Sequence, residues 1–160
     1  MAVDMFLKIE GIDGDSSAVK HKGEIEILSF SWGLSQQGSS SSGGGGGAGK
    51  VVSQDFTIVT QVSSSSPQMM EKCCTGQHIP SVSLTLATKE TKQEYLKIKL
   101  TDVLISSYQT GASGGGDAVD QVSFNFRGLD VQAADRKGNF QQVQCDFGGG
   151  KLEGAHNHDH

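Results

Sequence analysis

Charge is the first thing this sequence is short of. Only 19% of its 160 residues are Asp, Glu, Lys or Arg, and hydrophobic residues reach 35%. Both shares are low for a globular chain, which implies a surface that is polar but weakly charged. The 13 basic residues are scattered and outnumbered by 18 acidic ones, for a net charge of −5. Nucleic acids and anionic membranes are bound by clustered Lys and Arg, so no nucleic acid is expected as a partner. Long apolar runs are missing too. No window approaches the length of a membrane span, and no membrane insertion is expected. Residues 1–8 carry Asp4 and Lys8 where a secretory leader would run apolar. The expected location is the cytoplasm, with any export by a route that needs no cleaved signal peptide.

Cysteine is scarce: Cys73, Cys74 and Cys145 are the three present. An odd count with an adjacent pair makes a poor disulfide framework, so reduced thiols are expected. Catalytic signatures are missing as well. There is no Gly-x-Ser-x-Gly elbow, no paired-cysteine zinc spacing and no calcium-loop pattern. A hydrolase needs a nucleophile, a base and an orienting group. Cys74 and His78 are the one candidate pair, and nothing local activates the thiol. His21 lies in a polar, turn-like stretch with no nucleophile motif near it. His156, His158 and His160 alternate at the chain end and could chelate Ni²⁺ or Zn²⁺ adventitiously. The expectation is a protein that is not an enzyme, with no catalytic residue, no cofactor and no functional metal.

Glycine, by contrast, is abundant at 22 residues. Residues 44–50 read G-x-x-x-x-G-K, the spacing of a nucleotide-binding P-loop, so an NTPase is the alternative to weigh. That chemistry also needs a Ser or Thr after the Lys to hold Mg²⁺, and a helix whose N-terminus faces the phosphates. Val51 follows Lys50, and residues 51–60 are rich in β-branched side chains, which favours a strand. Upstream, polar residues 36–42 stand where a buried strand should end. Two of three requirements fail.

Period-two alternation dominates elsewhere. Met5, Leu7 and Ile9 alternate with Phe6, Lys8 and Glu10. Ile25 and Ile27 sit on odd positions but Phe30 and Trp32 on even ones, so the phase slips at Leu28 as at a β-bulge. A second slip follows Asp102, from Leu96, Ile98 and Leu100 to Val103 and Ile105. Val82, Leu84 and Leu86 mark another strand, then Val122, Phe124 and Phe126 with Leu129 and Val131, then Val143 and Cys145. One short α-helix is expected around 67–75. Ser66 reads as its N-cap, Pro67 as its first position and Gly76 as its end. Met69, Met70, Cys73 and Cys74 form its apolar stripe. Some seven strands and one helix make a mainly β fold, a single compact antiparallel β-barrel of two curved sheets. The barrel domain spans 1–147 with a glycine-rich extended loop at 38–50, and 148–160 reads as a disordered or tag-like tail.

Several stretches together resemble the haemolysin-coregulated protein (Hcp) family. They are MAVDMFLKI at 1–9, IEILSFSWG at 25–33, GGGGGAGKV at 43–51, SPQMM at 66–70, TGQH at 75–78, and YLKI with VLISS between 95 and 107. The likeness runs in order to about Arg127. Beyond it, CDFGGG at 145–150 stands where the family often has a Trp-containing strand.

The resemblance implies a small barrel with one flanking helix that assembles as a homohexameric ring. It implies rings stacked head to tail in the inner tube of the type VI secretion system, a contractile injector of Gram-negative bacteria. Implied partners are further copies of the chain, the spike and sheath proteins, and small effectors held in the lumen. Ser29 and Ser31 share the strand face opposite Phe30 and Trp32, and on this reading they line the lumen. The run Gly43, Gly44, Gly45, Gly46, Gly47, Ala48, Gly49 and Lys50 becomes an arm reaching towards a neighbouring ring.

Overall fold

The computed structural model describes residues 2–38 and 50–148. Within them lie ten strands: β1 (Val3–Ile9), β2 (Ile25–Glu26), β3 (Ser29–Ser31), β4 (Leu34–Gln36), β5 (Val51–Ser53), β6 (Phe56–Gln61), β7 (Ile79–Thr88), β8 (Glu94–Gly111), β9 (Val119–Ala134) and β10 (Phe140–Asp146). Helix α1 (Ser65–Thr75) joins β6 to β7, and a short 3-10 turn covers Val19–His21. The strand count exceeds the expected seven because the bent segments divide into short pieces.

One sheet runs in the order β2-β1-β7-β8-β9-β6-β3, with β10 on β9, and β4 with β5 forms a separate two-stranded ribbon. All pairings are antiparallel. The spine is the long β8–β9 ribbon, which turns through a loop where Gly115 takes φ +86°. The first half of β9 pairs with β6 and its second half with β10, so those two strands lie end to end along it.

The phase slip at Leu28 closes the sheet. Ile27 donates its N–H to the Met5 carbonyl at 3.0 Å, and Leu28 donates to the Val59 carbonyl at 2.7 Å. One corner therefore bonds both ends of the strand order, and the sheet rolls into a barrel. The expected bulge is a sharper device than expected: it ends one strand and starts another on a different partner. Ile25 and Ile27 are buried on one side of the corner, whereas Leu28 at its tip is exposed. Closure leaves few unpaired edges, the usual hazard of open sheets.

The second slip has another cause. The β8–β9 register is unbroken across Asp102, pairing Thr101 with Gly128 and Val103 with Phe126. Instead Asp102 adopts φ +54°, an uncommon conformation for a non-glycine residue. The apolar phase changes on both strands together, from Leu100 to Val103 and from Phe126 to Leu129. The register shift falls between Ile105 and Ser107.

Helix α1 begins two residues before the expected start. Ser64 precedes it without a side-chain cap, and Pro67 sits within its first turn, where a missing N–H costs little. Ser66 is not the cap: its hydroxyl accepts from the Ser63 N–H and donates to Asp120. Gly76 ends the helix at φ +68°, its N–H on the Lys72 carbonyl. The apolar stripe is narrower than expected. Met69 is fully buried and Cys73 packs against the core, but Met70 and Cys74 face outwards.

Candidate functional site

Two neighbouring rows of side chains cross the barrel surface on β3, β6, β9 and β8. The register sets Ser29 beside Val59, Val59 beside Gln121 and Gln121 beside Gln109. The next row runs Ser31, Thr57, Ser123 and Ser107. Cross-strand partners project to one side of a sheet, and here the other side holds buried Phe56, Ile58, Val122 and Phe124. These eight residues carry no charge. Ser29 and Ser31 are exposed, and Thr57 and Ser123 share a hydroxyl hydrogen bond of 2.9 Å. At the border, Ser106 and Asn125 donate to Asp55 at 2.6 and 3.1 Å. Gln61 donates to Asp117 at 2.9 Å. The two carboxylates at the margins are thus held by neutral donors. Such a surface offers many weak hydrogen-bonding groups and no strong electrostatic anchor.

Below this face the core is aromatic. Phe30 stacks on Phe56 with centroids 5.6 Å apart, and Trp32 leans on both Phe56 and Phe126. The Trp32 indole N–H donates to Ser53 of β5 at 3.1 Å, fastening the β4–β5 ribbon to the barrel. The ribbon pairs Leu34 with Ser53, Ser35 with Val52 and Gln36 with Val51. Gln37 closes its far end by donating to the Lys50 carbonyl at 3.0 Å. Leu34 and Val52 remain exposed on it. Of the expected arm, Lys50 is an exposed residue at the head of β5; Gly43, Gly44, Gly45, Gly46, Gly47, Ala48 and Gly49 lie outside the described residues.

The enzyme candidates fare differently. Val51 and Val52 extend as strand, so Lys50 leads into no helix that could face a phosphate. His78 does not meet Cys74. Its Nδ1–H instead donates to Asp102 at 2.6 Å, and among the described residues no hydrogen bond reaches it from the thiol. That bond, helped by the charges of His78 and of Arg127 at 3.5 Å, holds the Asp102 carboxyl below the usual carboxylate range. The tail histidines lie outside the described residues, and no metal-holding cluster occurs among those that are described.

Two polar centres escaped the sequence reading. Asp120 is fully buried, with the Ser66 hydroxyl on one oxygen and the Tyr108 hydroxyl, at 2.6 Å, on the other. Burial, then the bond to Asp120, raises the Tyr108 hydroxyl above its ordinary range. The signal was available, since Asp120 shares the parity of Val122, Phe124 and Phe126, which all face the core. His21 is the second centre. It lies stacked on Phe6 with ring centroids 4.3 Å apart.

Comparison with known proteins gives one consistent answer. Residues 6–132 match the family model described as type VI secretion system effector, Hcp. The chain is 43% identical over 158 residues to the protein hcp1 of Pseudomonas aeruginosa, covering 97% of this chain and 89% of that protein. Its fold superposes on the crystal structure of Hcp1 from Salmonella typhimurium with TM-score 0.83 at 30% identity, covering 96% of this chain and 100% of the other. A type VI secretion system effector from Yersinia pestis gives TM-score 0.76 at 27% identity, over 89% of this chain and 99% of that one. The antiparallel β fold, the helix α1 beside it and the sequence likeness agree: this chain belongs to the Hcp family of type VI secretion proteins.

Proposed function

We propose that this protein is a subunit of the type VI inner tube, built as homohexameric rings stacked head to tail. In this reading the uncharged face around Ser29 and Ser31 lines the lumen. It is the observation that supports the reading best, since a passage for varied cargo benefits from contacts that are numerous, weak and free of fixed charge. Small effectors would be carried against it, and the tube would meet spike and sheath proteins at its tip and outer wall. The protein would leave the cytoplasm through that machine, without a signal peptide.

The β4–β5 ribbon supports the second half of the proposal. Among the described residues it has no third strand, and a lone two-stranded hairpin is marginal in water. Its exposed Leu34 and Val52 would gain from packing on a neighbouring ring, as would the arm at 38–50. Light scattering after gel filtration, with negative-stain imaging, tests the assembly: rings of uniform diameter are expected. A monomer at all concentrations would refute it. Deleting residues 40–47 should spare the ring but impair stacking, and normal tube growth would reject the arm. Ser31→Gln should alter cargo retention in intact rings; unchanged retention would remove Ser31 from the lumen.

A further inference from the structure

The turn from Ile12 to Glu24 forms a strap between β1 and β2. Its own backbone bonds are local: Gly14 to Gly23, Ser16 to Glu24 and His21 to Ala18. Its side-chain tie to the opposite strand is His21. The ring lies flat on Phe6 of β1, 12% exposed, with Nδ1 2.9 Å from Glu24 and Nε2 2.9 Å from Glu94 at the start of β8. Beside it is a cavity of about 370 Å³ whose walls include Phe6, Ala18, Val19 and Ala87.

A carboxylate only accepts hydrogen bonds, and a neutral imidazole donates from one nitrogen only. With both glutamates ionised, a neutral His21 would aim a lone pair at a carboxylate oxygen. An N–H on each nitrogen is the arrangement that satisfies both contacts at once. The other charged groups around the ring do not supply that second proton. Glu94 also meets Lys97 at 3.6 Å, Asp4 of β1 is held by Lys89, and Lys20 and Lys92 carry ammonium groups with no lone pair to accept a bond.

We propose that His21 is a proton-operated latch that ties the strap to β8 and closes the wall of this cavity. While the glutamates are ionised and the imidazole carries both protons, the strap is held at both ends. When one proton leaves, one of the two bonds becomes a repulsion and the strap is released on that side. The inference stands apart from the assembly reading.

The test is amide hydrogen exchange of residues 16–22, corrected for intrinsic rates, at about pH 6 and about pH 8.5. The strap should exchange at least about fivefold faster at the higher pH, with core amides unchanged. In Glu94→Gln the amide can accept from Nε2–H or donate to the bare Nε2, so the difference should fall below about twofold. A wild-type difference below about twofold, or a variant that keeps the wild-type ratio, overturns the latch. Imidazole nitrogen shifts in the unaltered protein give an independent reading. Two protonated nitrogens are expected at the lower pH, and a single-donor ring there would also overturn it.

Discussion

The β8–β9 ribbon is one continuous pair of strands, yet its two halves belong to different surfaces. Before Asp102 its outward side chains sit in charged rows: Lys8, Ser83, Lys99, Asp130 and Gln144 stand side by side, and Lys97 follows in the next row. Gln142 and Gln144 both turn their amides to Asp130. After Asp102 the outward rows are uncharged: first Leu104 beside Asn125, then Ser, Thr, Gln and Val. The interior changes at the same place. Leu7, Val82, Leu84, Ile98 and Leu100 fill the first half, whereas Phe30, Trp32, Phe56, Phe124 and Phe126 fill the second. The charged half is shaped for solvent and pairing. The uncharged half combines a packed aromatic floor with an uncharged outer face.

The largest test asks whether the aromatic half packs as one unit. Phe124 is fully buried opposite Phe56, so Phe124→Ala should lose about 3–5 kcal/mol in urea unfolding. Leu84→Ala in the aliphatic half should lose about 2–5 kcal/mol. The distinguishing result is coupling. Phe56→Ala with Phe124→Ala should depart from additivity by at least about 0.5 kcal/mol, whereas Leu84→Ala with Phe124→Ala should add. Additivity in both pairs would break the contrast between the halves.

The next effect lies where α1 meets the uncharged half. Tyr108→Phe takes one of two hydroxyl donors from buried Asp120 and should cost about 1–3 kcal/mol. It should also change the alkaline limb. The Tyr108 hydroxyl is raised in the fold, so the stability it contributes is full below the unfolded tyrosine value near about 10. That contribution is lost as pH rises through the higher folded value. Urea midpoints between about pH 8 and 11 should fall less steeply in Tyr108→Phe than in the wild type.

How much of this was written in the sequence depends on the interaction that carries it. Strand identities were legible because Leu84, Ile98 or Phe124 recur with period two and burial enforces that period. The bent corner was legible as the slip at Leu28, but its consequence was not. Only the bonds of Ile27 and Leu28 to separate strands reveal a closure, and those partners lie far off in sequence. The slip at Asp102 was visible as a phase change, while its origin in one residue's φ was not. Ser29 and Ser31 were visible as a small polar face. The other six residues of that face could be added only by register, which no local pattern encodes. His21 was hidden because its partners, Phe6 and Glu94, meet it in space but lie far apart in sequence.

A smaller effect on stability separates surface chemistry from packing. Gln121 is exposed on the uncharged face and Lys99 on the charged one. Gln121→Lys and Lys99→Gln should each shift unfolding by less than about 0.5 kcal/mol. If the uncharged face is the lining, the first change should impair cargo retention in assembled rings and the second should not. Equal effects would erase the functional contrast while leaving the structural one.

The smallest expected effect sits at the boundary itself. Asp102 marks the change of phase, and its carboxyl is held below the ordinary range by His78 first and by the Arg127 charge as a lesser contribution. A depressed carboxyl adds stability that is full above its unfolded value, near about 3.9, and is lost as pH falls through the lower folded value. The group is exposed, so the change should be seen by carboxyl-carbon NMR titration rather than by unfolding. His78→Gln removes the imidazolium and its short bond, and should move the Asp102 titration upwards while Arg127→Gln moves it less. Asp102→Asn tests the backbone separately, because asparagine, like aspartate, is among the non-glycine residues that most readily adopt positive φ. It should keep the Leu100-to-Val103 phase change intact, read as unchanged cross-strand contacts between Thr101 and Gly128. Loss of that phase change in Asp102→Asn would mean that the side-chain pair, and not the left-handed backbone, divides the ribbon into its two halves.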